Sequence, residues 1–152
     1  MKHIALAGAA ALGIAGPVIA ADSQMIVKEA QGSVDDVAGR LVAAAEQAGA
    51  MIVARVDHTQ NAASIETEMP PTVLVIFGNP KIGTPIIQSD RRAGLDLPVR
   101  VLIWQDGETT RIGYLDPSVL ADRYELDEAA QASIEKMTGA LKKLTEAAAA
   151  AN

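Results

Sequence analysis

The most constraining feature of this sequence is a run of five apolar residues, Val73–Phe77, that leads directly into Gly78-Asn79-Pro80-Lys81-Ile82-Gly83-Thr84-Pro85. A continuous apolar run of this length is typical of a central strand covered on both faces. Glycine and proline at this density favour a loop with a defined backbone shape. We therefore predict a buried strand that ends in a shaped loop, followed by a short helix from Ile86 to Ala93 with Pro85 at its first position.

The rest of the chain predicts one α+β domain over residues 21–152. Strand-like runs occur near residues 25–28, 51–56, 99–104 and 109–115, and Asp106-Gly107 between the last two favours a hairpin. Ser33 with Asp36 predicts a capped helix that ends before Gly49. These elements predict an approximately five-stranded mixed or antiparallel sheet with helices mainly on one face.

The last predicted helix begins after Asp127 and carries a narrow apolar stripe. Its members recur at alternating spacings of four and three residues: Ala130, Ile134, Met137, Leu141 and Leu144. Such a stripe fits a helix that lies across its own sheet, and it also fits a coiled-coil seam between two chains.

Composition excludes several classes of function. The net charge is −6, aromatic residues make up 3% of the chain, and there is no basic run, so a nucleic-acid partner is not expected. The chain has no cysteine, which excludes disulfides, iron–sulfur clusters and Cys-ligated zinc. We expect no cofactor.

The N-terminus has the pattern of a bacterial export signal. Lys2 precedes an Ala- and Leu-rich segment, Ile4–Ala15, and Gly16-Pro17 then breaks the run before Ala20. We predict a cleavable signal peptide over residues 1–20, cut after Ala20 or Ala21. The mature domain is then expected in the periplasm or outside the cell, with no membrane insertion after cleavage.

Asp57 and His58 are the candidate catalytic pair. His58 is the only histidine beyond the predicted signal and lies at a predicted strand end. There it is a candidate general base whose charge the neighbouring carboxylate of Asp57 would set. A histidine–carboxylate metal site that also includes Asp96 is conceivable, although we predict no metal. The simpler interpretation is that Asp57 or His58 bonds to loop backbone and fixes the strand end.

The candidate ligand-binding residues lie in three loops that we expect to form one rim. They are Asp57, His58, Gly78, Asn79, Pro80, Gly83, Thr84, Pro85 and Asp96. A further hypothesis is that the amides of residues 82–84 cradle an anion next to Lys81, although this loop lacks the spacing of a phosphate-binding loop.

Several spaced motifs resemble a known family. Asp57-His58, Pro71-Thr72, Gly78-Asn79-Pro80, Gly83-Thr84-Pro85 and Asp96-Leu97-Pro98 occur in an order similar to that of the family catalogued as domain of unknown function 302. The resemblance covers roughly residues 25–145. It implies a compact α+β domain that is commonly dimeric, with no established catalytic activity.

Three functions follow as hypotheses. We favour a non-enzymatic, exported homodimer that binds a small molecule or a protein partner. The second hypothesis is a hydrolase or isomerase that uses His58 with Asp57. The third is a structural envelope protein that dimerises through its C-terminal helix.

Overall fold

A computed structural model describes residues 24–150 as one five-stranded sheet with helices packed against it. The strands are β1 (Met25–Ala30), β2 (Met51–Asp57), β3 (Thr72–Gly78), β4 (Val99–Asp106) and β5 (Thr109–Leu115). Their order across the sheet is β1-β5-β4-β3-β2, and every neighbouring pair is antiparallel. The predicted α+β class and strand number are confirmed, whereas the predicted signal peptide lies outside the described residues.

Within residues 25–150, five α-helices and one 3-10 helix accompany the sheet. They are α1 (Val34–Gln47), α2 (His58–Ala63), α3 (Pro80–Ser89), the 3-10 helix (Arg91–Leu95), α4 (Val119–Arg123) and α5 (Glu128–Ala149). α1 lies on the sheet, and α5 packs against both α1 and α3. Within residues 24–150, no helix has the length and apolar character needed to span a lipid bilayer.

The core lies between the sheet and this helical layer. Val73, Val75 and Phe77 of β3 are buried there, together with Leu41 of α1. The side chains between them on β3, Leu74 and Ile76, are only half-buried. The prediction that this strand is covered on both faces is therefore wrong, because in the described residues the core helices pack on one face of the sheet. Its outward side chains nevertheless stay apolar.

Local sequence signals place α1 accurately. Ser33 accepts a hydrogen bond from the amide of Asp36, and the Asp36 carboxylate accepts one from the amide of Ser33. This capping box satisfies two amides that the first turn leaves without helical partners. After the helix, Gly49 takes a φ of +78°, the left-handed backbone expected of a residue that ends a helix.

The stripe on α5 packs inside its own chain. Ala130, Ile134, Met137, Leu141 and Leu144 are each no more than 8% exposed. The helix end is also held, because the carbonyl of Ala149 accepts a hydrogen bond from the amide of Gln31 at 2.9 Å. The hypothesis that this stripe forms a coiled-coil dimer is therefore wrong, since its apolar side chains already fill the core.

Candidate functional site

The end of β3 and the start of β4 lie side by side and bring two of the three predicted loops together. Phe77 pairs with Val99, so Gly78 lies next to Pro98. A Cβ added to Gly78 would come within 3.2 Å of the Pro98 Cβ atom, so the absence of a side chain at position 78 allows this close approach. Residues 78–85 and 96–98, two of the three segments expected to form one rim, therefore lie together at one end of the sheet.

The segment after Gly78 is helical, which corrects the predicted loop and the predicted helix start at Pro85. Asn79 caps α3 and Pro80 occupies its first turn, where the missing amide of proline costs no helical hydrogen bond. Pro85 lies inside the helix, which ends at Ser89. The glycines and prolines after Gly78 therefore do mark a segment with a defined backbone, as predicted, but this segment is the first part of α3 and not a loop.

The amides of this first turn are already engaged. The side-chain oxygen of Asn79 accepts from the amide of Lys81 at 2.9 Å, and its carbonyl accepts from the amides of Ile82 and Gly83, both at 2.9 Å. The predicted anion cradle is therefore wrong for Ile82 and Gly83, because their N–H groups point to backbone and not into a binding site.

A cavity of about 300 Å³ opens beside this helix start. Its walls come from the end of α1, the starts of β2 and β4, the end of β3, and the facing sides of α3 and α5. The lining residues are Ala48, Ala50, Met51, Val53, Phe77, Gly78, Asn79, Pro80, Ile82, Gly83, Thr84, Ile87, Leu97, Pro98, Val99, Met137, Ala140, Leu141 and Leu144. None of these residues within the described chain is charged. The volume is at the lower end of the range for small-molecule pockets, and the lining matches their apolar character.

Five predicted site residues line this cavity: Gly78, Asn79, Pro80, Gly83 and Thr84. Pro85 does not line it. The sequence did not predict the part of the wall that α5 contributes, which includes Met137 and Ala140. An apolar stripe on a helix looks the same in the sequence whether it packs in the core or lines a cavity.

Asp96 lies beside a second, smaller cavity of about 70 Å³. The hydroxyl of Tyr124 donates to its carboxylate at 2.8 Å, and the guanidinium of Arg123 donates at 3.1 Å. Partial burial opposes ionisation of Asp96, but these two donors outweigh it and hold the pKa of the carboxyl below its usual value. Asp96 therefore joins the end of the 3-10 helix to α4.

Asp57 and His58 lie at the opposite end of the sheet, so the prediction that all three loops form one rim is wrong. Asp57 pairs with Val73, five residues before Gly78 along β3, which corresponds to about 17 Å. The conceivable metal site from Asp57, His58 and Asp96 fails for the same reason. Among residues 24–150, no group of three or more His, Asp or Glu side chains is arranged to hold a metal ion.

Asp57 has a structural contact that explains its position. Its carboxylate accepts a hydrogen bond from the amide of Gln60 at 3.0 Å and caps α2. Neither of the two cavities described above is lined by Asp57 or His58. The hypothesis of a His58 enzyme gains no support from this geometry.

Comparison with known proteins finds a matching family and a solved structure with a similar fold. The family described as Domain of unknown function DUF302 matches residues 26–144. A crystal structure of an uncharacterised conserved DUF302 protein from Bacillus stearothermophilus superposes with a TM-score of 0.75 at 17% identity, covering 83% of this chain and 98% of that one. This likeness extends over the whole domain and supports the same fold.

Two curated relatives are longer than this chain. The protein named Fluoride-specific ion channel FluC 1 from Brucella suis is 37% identical over 129 residues, which cover 84% of this chain and 51% of that protein. The protein of the same name from Brucella abortus is 37% identical over 129 residues, covering 84% of this chain and 48% of that protein. The chain thus spans about half the length of these relatives. From the family match over most of its length, we conclude that the chain belongs to the DUF302 family.

Proposed function

We propose that this chain is an exported, homodimeric module that holds a small apolar ligand in the cavity between β3, α3 and α5. The observation that carries the proposal is the cavity itself, about 300 Å³ with no charged residue in its lining. Filling an apolar cavity of this size removes apolar surface from water on both ligand and protein, which favours binding. Export follows from the signal-like N-terminus and is part of the proposal.

The chemistry of the lining favours binding over catalysis. Among the described residues of the wall, the only polar side chains are those of Asn79 and Thr84, and the Asn79 oxygen is engaged by the amide of Lys81. Acid–base catalysis needs a titratable side chain within hydrogen-bond reach of the reacting atoms. The described lining supplies none, so we expect the ligand to leave the cavity unchanged.

The methionines of the chain allow a direct test. Met51 and Met137 line the cavity, whereas Met25 and Met69 do not. With ¹³C-methyl-labelled methionine, titration with decanol is expected to shift the methyl signals of Met51 and Met137 and to leave those of Met25 and Met69 in place. Decanol is chosen as an uncharged probe with a flexible hydrocarbon chain.

A matched pair of variants controls this experiment. Ala140→Phe adds a ring to the cavity wall and is expected to abolish the shifts. Ala132→Phe adds the same ring at an exposed position of α5 and is expected to leave them unchanged. If decanol moves no methionine signal, or moves all four equally, the proposed cavity function is wrong.

The homodimer is proposed to form through the outer face of the sheet. We define this face by the row Val27, Gly113, Leu102, Leu74 and Val56, which are register partners across all five strands. Val27 is 41% exposed, and the side chains of Leu74 and Leu102 are half-exposed in the described chain. A second copy packed face to face would cover this row as in a β-sandwich.

A second candidate function is suggested by the curated relatives. Because a 129-residue match at 37% identity lies within proteins named fluoride-specific ion channels, we propose as the second candidate that the domain serves alongside such a channel in fluoride tolerance. The test is deletion of the gene followed by growth in fluoride. Reduced tolerance, restored by the intact gene, would support this function; unchanged tolerance would contradict it.

A further inference from the structure

Lysines flank the cavity wall on two helices. On α5, Ala140 lines the cavity, and Lys136 and Lys143 lie four residues before it and three after it. Residues at these spacings are neighbours on one face of a helix. On α3, Lys81 lies three residues before the lining residue Thr84. Three lysines therefore lie one helical turn from positions in the cavity wall.

These lysines have no acidic partner within residues 24–150. Lys81, Lys136 and Lys143 are exposed, and the described chain provides no salt bridge for any of them. Two arginines differ in this respect, since Arg55 pairs with Asp35 and Arg92 with Asp90. The lysine ammonium groups thus retain their positive charge for another partner.

The sign of this charge is opposite to that of the whole chain. The protein carries 19 acidic and 13 basic residues. At spacings of three or four residues from a lining residue on α3 and α5, the described chain has one carboxylate, Asp90, three residues after Ile87, and it is already bound by Arg92. Glu46, Glu135 and Glu146 lie two residues from Ala48, Met137 and Leu144, a spacing that places them on a different side of the helix from those lining residues. At these flanking positions of α3 and α5 the charge is therefore net positive, next to a lining that is uncharged.

We propose that the ligand is a single-chain amphiphile with an anionic head, such as a medium-chain fatty carboxylate. This inference rests on the proposed function, because the hydrocarbon chain occupies the same cavity. The carboxylate lies at the mouth near Lys81, Lys136 and Lys143, where long flexible side chains reach the head group and leave the apolar lining undisturbed. The apolar lining favours a hydrocarbon chain, and the positive lysines favour an anionic head group over a neutral or a cationic one.

The experiment compares three ten-carbon probes that differ in their head groups. Decanoate, decanol and decyltrimethylammonium are titrated into the full chain by calorimetry, with the Met51 and Met137 signals reporting where each binds. Decanoate is expected to bind about tenfold more tightly than decanol, since a few exposed ion pairs contribute roughly this much. Decyltrimethylammonium is expected to bind most weakly, and added salt is expected to weaken decanoate binding alone.

Substitutions separate the charge effect from the cavity effect. The triple variant Lys81→Gln, Lys136→Gln, Lys143→Gln is expected to lose the preference for decanoate and to bind decanol as the wild type does. Lys142→Gln is the matched control, because position 142 is two residues from Ala140 and so lies on the other side of α5. It is expected to bind decanoate normally.

The outcomes distinguish failure of this inference from failure of the proposed function. If decanol and decanoate bind equally well, or if the triple variant keeps the preference, the anionic head is wrong and the apolar cavity function stands. If no probe binds, both are wrong. Sedimentation with phosphatidylglycerol vesicles in the absence of decanoate binding would also overturn the inference, because it would indicate a bilayer surface as the partner.

Discussion

Asp90 is a buried carboxylate that fixes the junction between α3 and the 3-10 helix. Its side chain is 8% exposed, and Arg92 donates to it from Nη2 at 2.6 Å, from Nε at 3.0 Å and from the backbone amide at 2.9 Å. These side-chain and backbone hydrogen bonds from Arg92 lower the pKa of Asp90 to about 2. A carboxyl whose pKa is lower in the folded chain than in the unfolded chain links stability to pH.

Asp90→Asn is expected to remove part of the acid sensitivity of the fold. In the wild type, the contribution of Asp90 is fully present above the unfolded pKa near 3.8 and is lost as the pH falls toward about 2. The melting temperature of the wild type should therefore exceed that of the variant at pH 5, and the gap should close between pH 4 and pH 2. Thermal unfolding followed by circular dichroism across this range measures the gap. Asp122→Asn, at an exposed position, is the control, and a gap for Asp90→Asn that does not change with pH would contradict the prediction.

The sequence predicted the start of a helix correctly where the chain offers a single capping residue for it. The Ser33–Asp36 capping box marked α1, and Asp127, which accepts from the amide of Ala130 at 2.8 Å, marked α5. α3 was misplaced because its sequence offers two prolines that can each begin a helix. Pro85 lacks the amide that would bond to the carbonyl of Lys81, yet the helix runs through it because it packs on α5. That packing is not visible in the local sequence.

Asn79→Ala is expected to destabilise the protein by about 1 kcal/mol, the usual cost of losing a helix cap. The substitution removes the acceptor for the Lys81 amide and also the weaker 3.4 Å bond from the Asn79 side-chain nitrogen to the carbonyl of Gly49. Urea unfolding measures the change in the free energy of unfolding. Asn79→Asp is the matched variant, since it keeps the capping oxygen and loses only the bond to Gly49. If Asn79→Ala and the wild type unfold at the same urea concentration, the cap does not stabilise α3.

At the scale of the molecule, the candidate site depends on the pairing of strands. Residues 57–59, 78–85 and 96–98 were correctly expected next to the ends of strands. In an antiparallel sheet, however, successive strands run in opposite directions, so their ends alternate between two opposite sides of the sheet. The side of the sheet on which each segment lies follows from the pairing of strands in the order β1-β5-β4-β3-β2, and that order is set by long-range packing. For this reason residues 78–85 and 96–98 lie together, whereas Asp57 and His58 lie on the opposite side of the sheet.

The outer face of the sheet provides most of the area of a standard dimer interface. Five strands at about 4.8 Å spacing and seven residues at about 3.3 Å give a patch of roughly 24 by 23 Å. The projected area of this patch is about 550 Å², which is about two thirds of the roughly 800 Å² that each partner buries in a standard interface. Charges at its margins are already compensated within the chain, since Arg111 pairs with Glu29 at 3.5 Å and Arg100 with Asp96 at 3.7 Å. Two copies can therefore meet here without burying an unpaired charge.

Leu102→Glu is expected to convert the proposed dimer into a monomer. Leu102 lies at the middle of the row that defines the outer face, between Gly113 and Leu74, so two glutamates would meet near the centre of the interface. A buried charge at such a central position costs about 2 kcal/mol or more in binding, which weakens association by more than tenfold. Sedimentation velocity on the wild type and the variant measures the change. Leu95→Glu introduces the same charge at a site that is 80% exposed and outside the sheet, so it should remain dimeric. A wild type that sediments as a monomer throughout the micromolar range, or a Leu102→Glu variant that stays dimeric while folded, would show that this face does not join two copies.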